Sequence, residues 1–145
     1  MVLEHVRNVL GFEDADHAES SPDAPRLAIT ALSCSLAGRT DEVRFAPGSP
    51  ARRWYGRDAA VEDFRCSYGV NPELVPALEA SGLAVDATDA AGDVRMVARR
   101  DHPFFVGTLF LPQLRSSERS VHPVLREFAR AVARATPRGN GGAQA

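Results

Sequence analysis

The chain contains no lysine; all 17 of its basic residues are arginine. That absence excludes a lysine base, a lysine Schiff base and a lysine phosphate clamp, so any bound anion must be met by guanidinium or backbone N–H groups. Cysteine is scarce too. Cys34 and Cys66 form no Cys-x-x-Cys pattern and have no histidine at metal-ligand spacing. Free thiols in a reducing cytosol are the expectation, rather than a disulfide. No apolar run approaches the roughly 20 residues of a membrane span. The opening stretch carries Glu4, His5 and Arg7 and does not read as a signal peptide. A formal net charge of −2 lacks the basic excess of nucleic-acid and membrane-surface binders. These absences point to a cytoplasmic protein with no nucleic-acid or membrane partner, and no residue set calls for a cofactor or metal.

What is present suits one compact domain: 145 residues, 44% hydrophobic and 25% charged. Residues 2–10 place Val2, Val6 and Val9 on one helical face with Leu10 beside them, and Gly11 stops the helix. No Ser, Thr, Asp or Asn precedes this helix, so it reads as one whose beginning has been cut away. Residues 12–26 are acidic, carry two prolines and read as a loop. Residues 27–32 and 41–46 read as strands, 47–60 as Pro47-Gly48 plus a short mixed segment, and 64–71 as extended. Pro72 opens a helix over 72–81, weakened by Pro76 and ended by Gly82.

Residues 83–88 and 94–99 alternate apolar and polar residues around Ala91-Gly92-Asp93, a hairpin signature. The run Phe104–Phe110 reads as a strand buried on both faces, with Phe105, Val106 and Leu109 in the core. The last helix starts near Pro123, with Leu125, Phe128 and Val132 as its buried stripe and Arg126, Arg130 and Arg134 as its solvated face. Trp54-Tyr55 beside Arg52 and Arg53 suggests an interface patch without establishing one. Residues 136–145 read as a disordered tail.

Three segments together resemble CTP synthase. VLEHVRNVLG at 2–11 is similar to the helix that follows the family's Gly-x-Cys-x-Gly nucleophile elbow. FRCSYGVNPELVPALEASGL at 64–83 is similar to its Arg-His-Arg-His-Arg-Tyr-x-Val-Asn segment and the helix after it. HPFFVGTLFLPQLRS at 102–116 and HPVLREFARAVARA at 122–135 resemble its His-Pro-aromatic-Phe strand, its Phe-His-Pro-Glu motif and its final helix. The resemblance implies the α/β, flavodoxin-like fold of class I glutamine amidotransferases, represented by its C-terminal part. It makes residues 1–135 a glutamine-amidotransferase-like domain lacking its N-terminal half, in a family of glutamine metabolism and pyrimidine nucleotide biosynthesis.

The same resemblance implies a departure from the family's chemistry. There a cysteine thiolate attacks the glutamine amide, a histidine moves the proton, and a glutamate two residues later orients the histidine. Here the histidine position is Leu111 and the glutamate position Gln113, neither of which can do that work. The nucleophile position would lie upstream of Met1, which implies that Met1 is not the natural start of the domain. His102 and His122 match structural His-Pro positions, and Cys66 can serve as a nucleophile with His122 as base only if the fold brings them together.

Arg65 aligns with an arginine of the glutamine-binding segment and reads equally as a carboxylate contact or a structural salt bridge. Cys66, Tyr68 and Asn71 share that segment as ligand-binding candidates, with strand-end packing and turn roles as the alternative. Three functions remain open. One is a degenerate amidotransferase-like pseudoenzyme with a binding or regulatory role, its partner glutamine or a related small molecule, another protein or a second copy of itself. Another is a glutamine-hydrolysing component of a CTP-synthase-type ligase. The last is a thiol or selenol enzyme whose nucleophile lies upstream.

Overall fold

The computed structural model describes residues 1–135. In chain order the elements are α1 (Val2–Asn8), β1 (Ala15–His17), β2 (Arg26–Ala31), β3 (Thr40–Phe45), α2 (Pro50–Tyr55), β4 (Ala59–Asp63), β5 (Tyr68–Val70), α3 (Val75–Ala80), β6 (Leu83–Thr88), β7 (Val94–Arg99), β8 (Val106–Thr108) and α4 (Pro123–Ala135). Short 3-10 turns occupy Pro72–Leu74 and Pro112–Arg115. The strands form a three-stranded sheet, β1-β2-β5, and a five-stranded sheet, β4-β3-β6-β7-β8. Among the described residues only β1 and β2 pair in parallel; every other pairing is antiparallel.

Two hydrophobic clusters stabilise this arrangement. One gathers Val43, Phe45, Ala51, Phe64, Met96, Phe110 and Val124 between the larger sheet, α2 and the start of α4. The other gathers Val6, Ala15, Ala28, Leu78, Leu83, Val94 and Val97 between α1, α3 and both sheets. Strand β7 contributes to both and is buried from Val94 to Ala98. Its hairpin with β6 closes at Asp89–Asp93, where Asp89 Oδ1 accepts the backbone N–H groups of Ala91 and Asp93 at 2.9 Å each and Gly92 takes φ 91°.

The helix α2 carries strong local signals within a segment read only as mixed. Ser49 caps it by accepting the Arg52 N–H at 3.1 Å, Pro50 occupies its first turn, and Gly56 ends it at φ 67°. The acidic segment 12–26 likewise holds β1 and the first residue of β2 rather than only loop. Asn71 starts the 3-10 turn that leads into α3, accepting from the Glu73 N–H at 3.0 Å.

Three burial expectations are corrected. The run Phe104–Phe110 is not a central strand: β8 spans only Val106–Thr108, lies at the sheet edge beside β7, and is half-buried. Phe105 is 39% exposed and Leu109 only partly buried, while Phe110 is sealed against Phe64. On α4 the buried anchor is Val124, whereas Phe128 is 52% and Val132 49% exposed and Leu125 is half-buried. That helix meets the body against α2 and the Pro112–Arg115 turn, and Phe128 lays one side of its ring on Phe104 at 5.4 Å, so its apolar stripe is covered only in part. On α1, Val6 is fully buried but Val9 is 50% exposed, because α1 is only seven residues long and ends before it. Residues 136–145, read as a tail, lie outside the described residues.

Truncating Phe110 to alanine should cost about 3–5 kcal/mol of folding stability. Phe128→Ala should cost less, about 0.5–1.5 kcal/mol, because the half-exposed ring loses its contact with Phe104. Urea unfolding of the two variants beside the parent checks the order, and equal losses would contradict the packing described.

Candidate functional site

A cavity of about 310 Å³ opens between the first turn of α1 and strands β2, β5, β7 and β8. Its lining is mostly apolar: Met1, Val2, Leu3, Ile29, Val70, Val94, Met96, Val97 and Leu109. His17, Cys66, Tyr68, Arg95 and Thr108 supply its polar side chains. An apolar concavity with a few polar groups is the ordinary form of a small-molecule site. Gly107 lets the start of α1 approach β8; a Cβ there would come within 2.9 Å of Met1 Sδ and 3.4 Å of Val97 Cγ2.

The polar groups are held in place locally. Cys66 is half-buried; its thiol donates to the Tyr68 carbonyl at 3.2 Å and accepts the Tyr68 N–H at 3.4 Å. The Tyr68 ring lies 5.1 Å from the His17 ring, tilted by 54°. His17 Nδ1 accepts the Glu19 N–H at 3.0 Å, which leaves Nε2 as the protonated nitrogen of the neutral ring. The Arg95 guanidinium, 4% exposed, is neutralised by Asp89 Oδ2 at 2.5 Å and Asp93 Oδ2 at 3.2 Å. Thr108 Oγ1 donates to the Phe110 carbonyl at 2.9 Å.

The candidates read from the sequence divide. Cys66 and Tyr68 line the cavity, and His17, Arg95 and Thr108 join them from segments where no site was expected. Asn71 belongs to the scaffold: besides capping its turn, it donates from Nδ2 to the Leu27 carbonyl at 2.8 Å. Arg65 is exposed, with its guanidinium beside Gly38, and its positive charge helps hold Asp63 below the ordinary carboxylate range. The larger causes at Asp63 are hydrogen bonds from Thr40 and Arg115. Leu111 is half-buried at the start of the Pro112–Arg115 turn, its N–H donating to the Asp63 carbonyl at 2.9 Å, and Gln113 is exposed. Neither lines the cavity.

His122 belongs to a separate, sealed cluster with Glu62 and Tyr55. Glu62 is 2% and His122 4% exposed. Tyr55 donates its hydroxyl to Glu62 Oε1 at 2.7 Å. His122 Nδ1 accepts the Val124 N–H at 3.2 Å at the start of α4, so Nε2 carries the proton and faces the Glu62 carboxylate at 3.1 and 3.2 Å. Burial, and then the hydrogen bond to Glu62, push the Tyr55 hydroxyl far above its ordinary range. The hydrogen bonds of His122 all fall within this cluster and the helix start, and those of Cys66 go to Tyr68; no hydrogen bond joins the two residues. Among the described residues no group of three or more His, Cys, Asp or Glu side chains is arranged to hold a metal ion. No helix among them is long and apolar enough to cross a membrane.

No protein-family model matches the chain. Curated proteins do. Over 144 residues it is 36% identical to the CTP synthase of Aeropyrum pernix, across 92% of this chain and 27% of that protein. Over 140 residues it is 35% identical to the CTP synthase of Haloquadratum walsbyi, across 90% of this chain and 25% of that one. Proteins named CTP synthase are thus homologous to about nine-tenths of this chain. The chain spans about a quarter of the length of these relatives. Among solved structures, the glutaminase domain of Trypanosoma brucei CTPS with bound acivicin shares its fold, with a TM-score of 0.86 at 24% identity over 92% of this chain and 56% of that one. The fold is therefore class I glutamine amidotransferase-like, as the CTP synthase resemblance implied.

Two variants probe the polar scaffold. His122→Ala would remove the imidazole N–H from the buried Glu62 carboxylate, and a hydrogen bond to a charged group contributes about 1.5–3 kcal/mol; chemical denaturation should show a loss of at least that order. His5, which ties α1 to α3 through Ser81 Oγ at 2.7 Å, has its pKa lowered from 6.5, first by burial and then by the charge of Arg99. The fold thus favours neutral His5. Its stabilising contribution is complete above the ordinary imidazole value and is lost as pH falls towards the lowered folded value. Between about pH 7.5 and 5.5, a span that brackets imidazole titration, the parent should lose more stability than His5→Gln. Identical losses would contradict this role for His5.

Proposed function

We propose that this chain is a glutaminase-like domain of the CTP synthase family that does not itself hydrolyse glutamine and acts by binding a small molecule. The observation that carries the reading is Leu111. It stands where the resemblance places the proton-moving histidine, and its side chain has no group that can accept or return a proton. Gln113, at the glutamate position, is exposed and carries no charge to stabilise an imidazolium. The thiol at the cavity, Cys66, exchanges hydrogen bonds with Tyr68 and has no histidine hydrogen-bonded to it as a base.

The cavity supports the binding half of the reading. It sits at the start of α1, the helix that resembles the one following the family's nucleophile elbow, and the related trypanosomal domain holds bound acivicin. Glutamine or a related amino acid is the ligand class this proposes. Tyr68, His17 and Thr108 offer it a ring face and hydrogen-bonding groups, and the buried Arg95 supplies positive charge already balanced by Asp89 and Asp93.

Glutamate release from glutamine by the purified chain should stay at background. Enzymatic turnover, on the order of 1–10³ per second, would overturn the reading. Leu111→His with Gln113→Glu should restore no activity, because neither position lines the cavity that holds the Cys66 thiol. Calorimetric titration with glutamine tests the binding half, and Tyr68→Ala should weaken any association found.

A further inference from the structure

A second concavity, of about 290 Å³, lies on a different part of the surface, between α2 and the connection from β7 to β8. Two arginines that meet at Asp86 line it from opposite sides, Arg53 from α2 and Arg100 from the residue after β7, and Arg99 also lies on its wall. Aromatic rings frame it. Trp54 stacks on Phe104 at 5.6 Å between centroids and 16° between planes, and Phe105, 39% exposed, meets the edge of His102 at 5.6 Å.

The charges there do not cancel. Arg100 donates to the buried Asp86 carboxylate at 3.1 Å, and Arg99 is paired with Asp101 through two hydrogen bonds. Arg53 donates one N–H to the Gly48 carbonyl at 2.8 Å, and its charge also acts on the Asp86 carboxylate. Arg53 and Arg100 thus share the single carboxylate of Asp86, which leaves one positive charge at the cleft. Each guanidinium has five N–H donors, so Arg53 and Arg100 keep donors free for a further acceptor.

We propose that this cleft binds a small phosphorylated aromatic molecule, its phosphate on Arg53 and Arg100 and its ring against Trp54 and Phe105. A phosphate suits the site because planar guanidiniums engage its oxygens in pairs, and the chain has no lysine to do so. The volume lies at the small end of the range for ligand pockets, roughly 300–1,000 Å³, and so fits a compact ligand. This site is independent of the cavity at α1, and its test does not depend on the function proposed for that cavity.

Trp54 is the only tryptophan in the chain, so its fluorescence reports on this cleft directly. Titration with AMP and with phenyl phosphate should give saturable quenching by at least one of them. Inorganic phosphate should compete, and raising the salt concentration should weaken the effect. Adenosine should bind at least about tenfold more weakly than AMP, the loss expected for a missing charged contact of about 1.4 kcal/mol. Arg53→Gln should weaken binding by a similar factor. Phe105→Ala should weaken the aromatic probes while leaving competition by inorganic phosphate unchanged. Both residues are exposed, and circular dichroism checks that each variant folds; if one does not, the other variant and the phosphate competition decide. No saturable quenching by either probe, or quenching unaltered in a folded Arg53→Gln variant, would overturn the proposal.

Discussion

Strand β7 is buried from Val94 to Ala98, and the rest of the molecule is arranged around that fact. Val94 and Val97 contribute to the core shared with α1 and α3, while Met96 contributes to the core shared with α2 and Phe64. A strand enclosed in this way would ordinarily be apolar throughout, yet its second residue is Arg95. Burying a lone guanidinium is prohibitive, and the neighbouring turn answers the need: Asp89 and Asp93 close the hairpin and also bring carboxylates to Arg95. The turn geometry, the ion pair and the placement of β7 are therefore one interaction seen from three sides. The cavity at α1 is partly walled by β7, and the second cleft takes Arg99 and Arg100 from its end.

Buried polar groups elsewhere follow the same rule that a charge inside must have a partner. Glu62 on β4 receives donors from Tyr55 on α2 and His122 at the start of α4, so one carboxylate ties three elements together. Asp86 on β6 is fully buried and meets the backbone N–H of Ala51 and the guanidinium of Arg100; its pKa is raised, first by burial, with these groups and Arg53 pulling the other way. No buried side-chain nitrogen or oxygen among the described residues lacks a hydrogen-bond partner. The sealed Glu62 cluster joins elements far apart in sequence, which explains why His122 sits apart from the cavity; His102 is exposed and lines the second cleft.

Much of the local structure was legible because it rests on neighbouring residues. The hairpin at 83–99 came from alternation around a Gly-containing turn, and the final helix from Pro123 and its apolar spacing. The signals of α2, Ser49-Pro50 at its start and Gly56 at its end, were also present but lay in a segment too short to show a period. Burial was less legible. An apolar run such as Phe104–Phe110 looks the same whether its strand lies in the centre of a sheet or at its edge, and the stripe on α4 does not say how far along the helix its partner extends. The candidate site divided in the same way. Cys66 and Tyr68 were found through the CTP synthase resemblance, but His17 and Arg95 reach the cavity from an acidic segment and from a strand whose faces are assigned only by packing.

By itself the sequence determined which residue types are on hand for binding and chemistry. It carries no lysine, and over nearly its whole length it is similar to part of CTP synthase. Those are properties of residue identity and spacing, and folding does not alter them. The tertiary structure alone decided which groups meet: Glu62 with His122 across 60 residues, Cys66 with His17 and Arg95 around one cavity, and Arg53 and Trp54 with Arg99, Arg100 and Phe105 around another. Such meetings depend on strand order and on which faces are covered, and these are set by the long-range burial of β7 rather than by any local pattern.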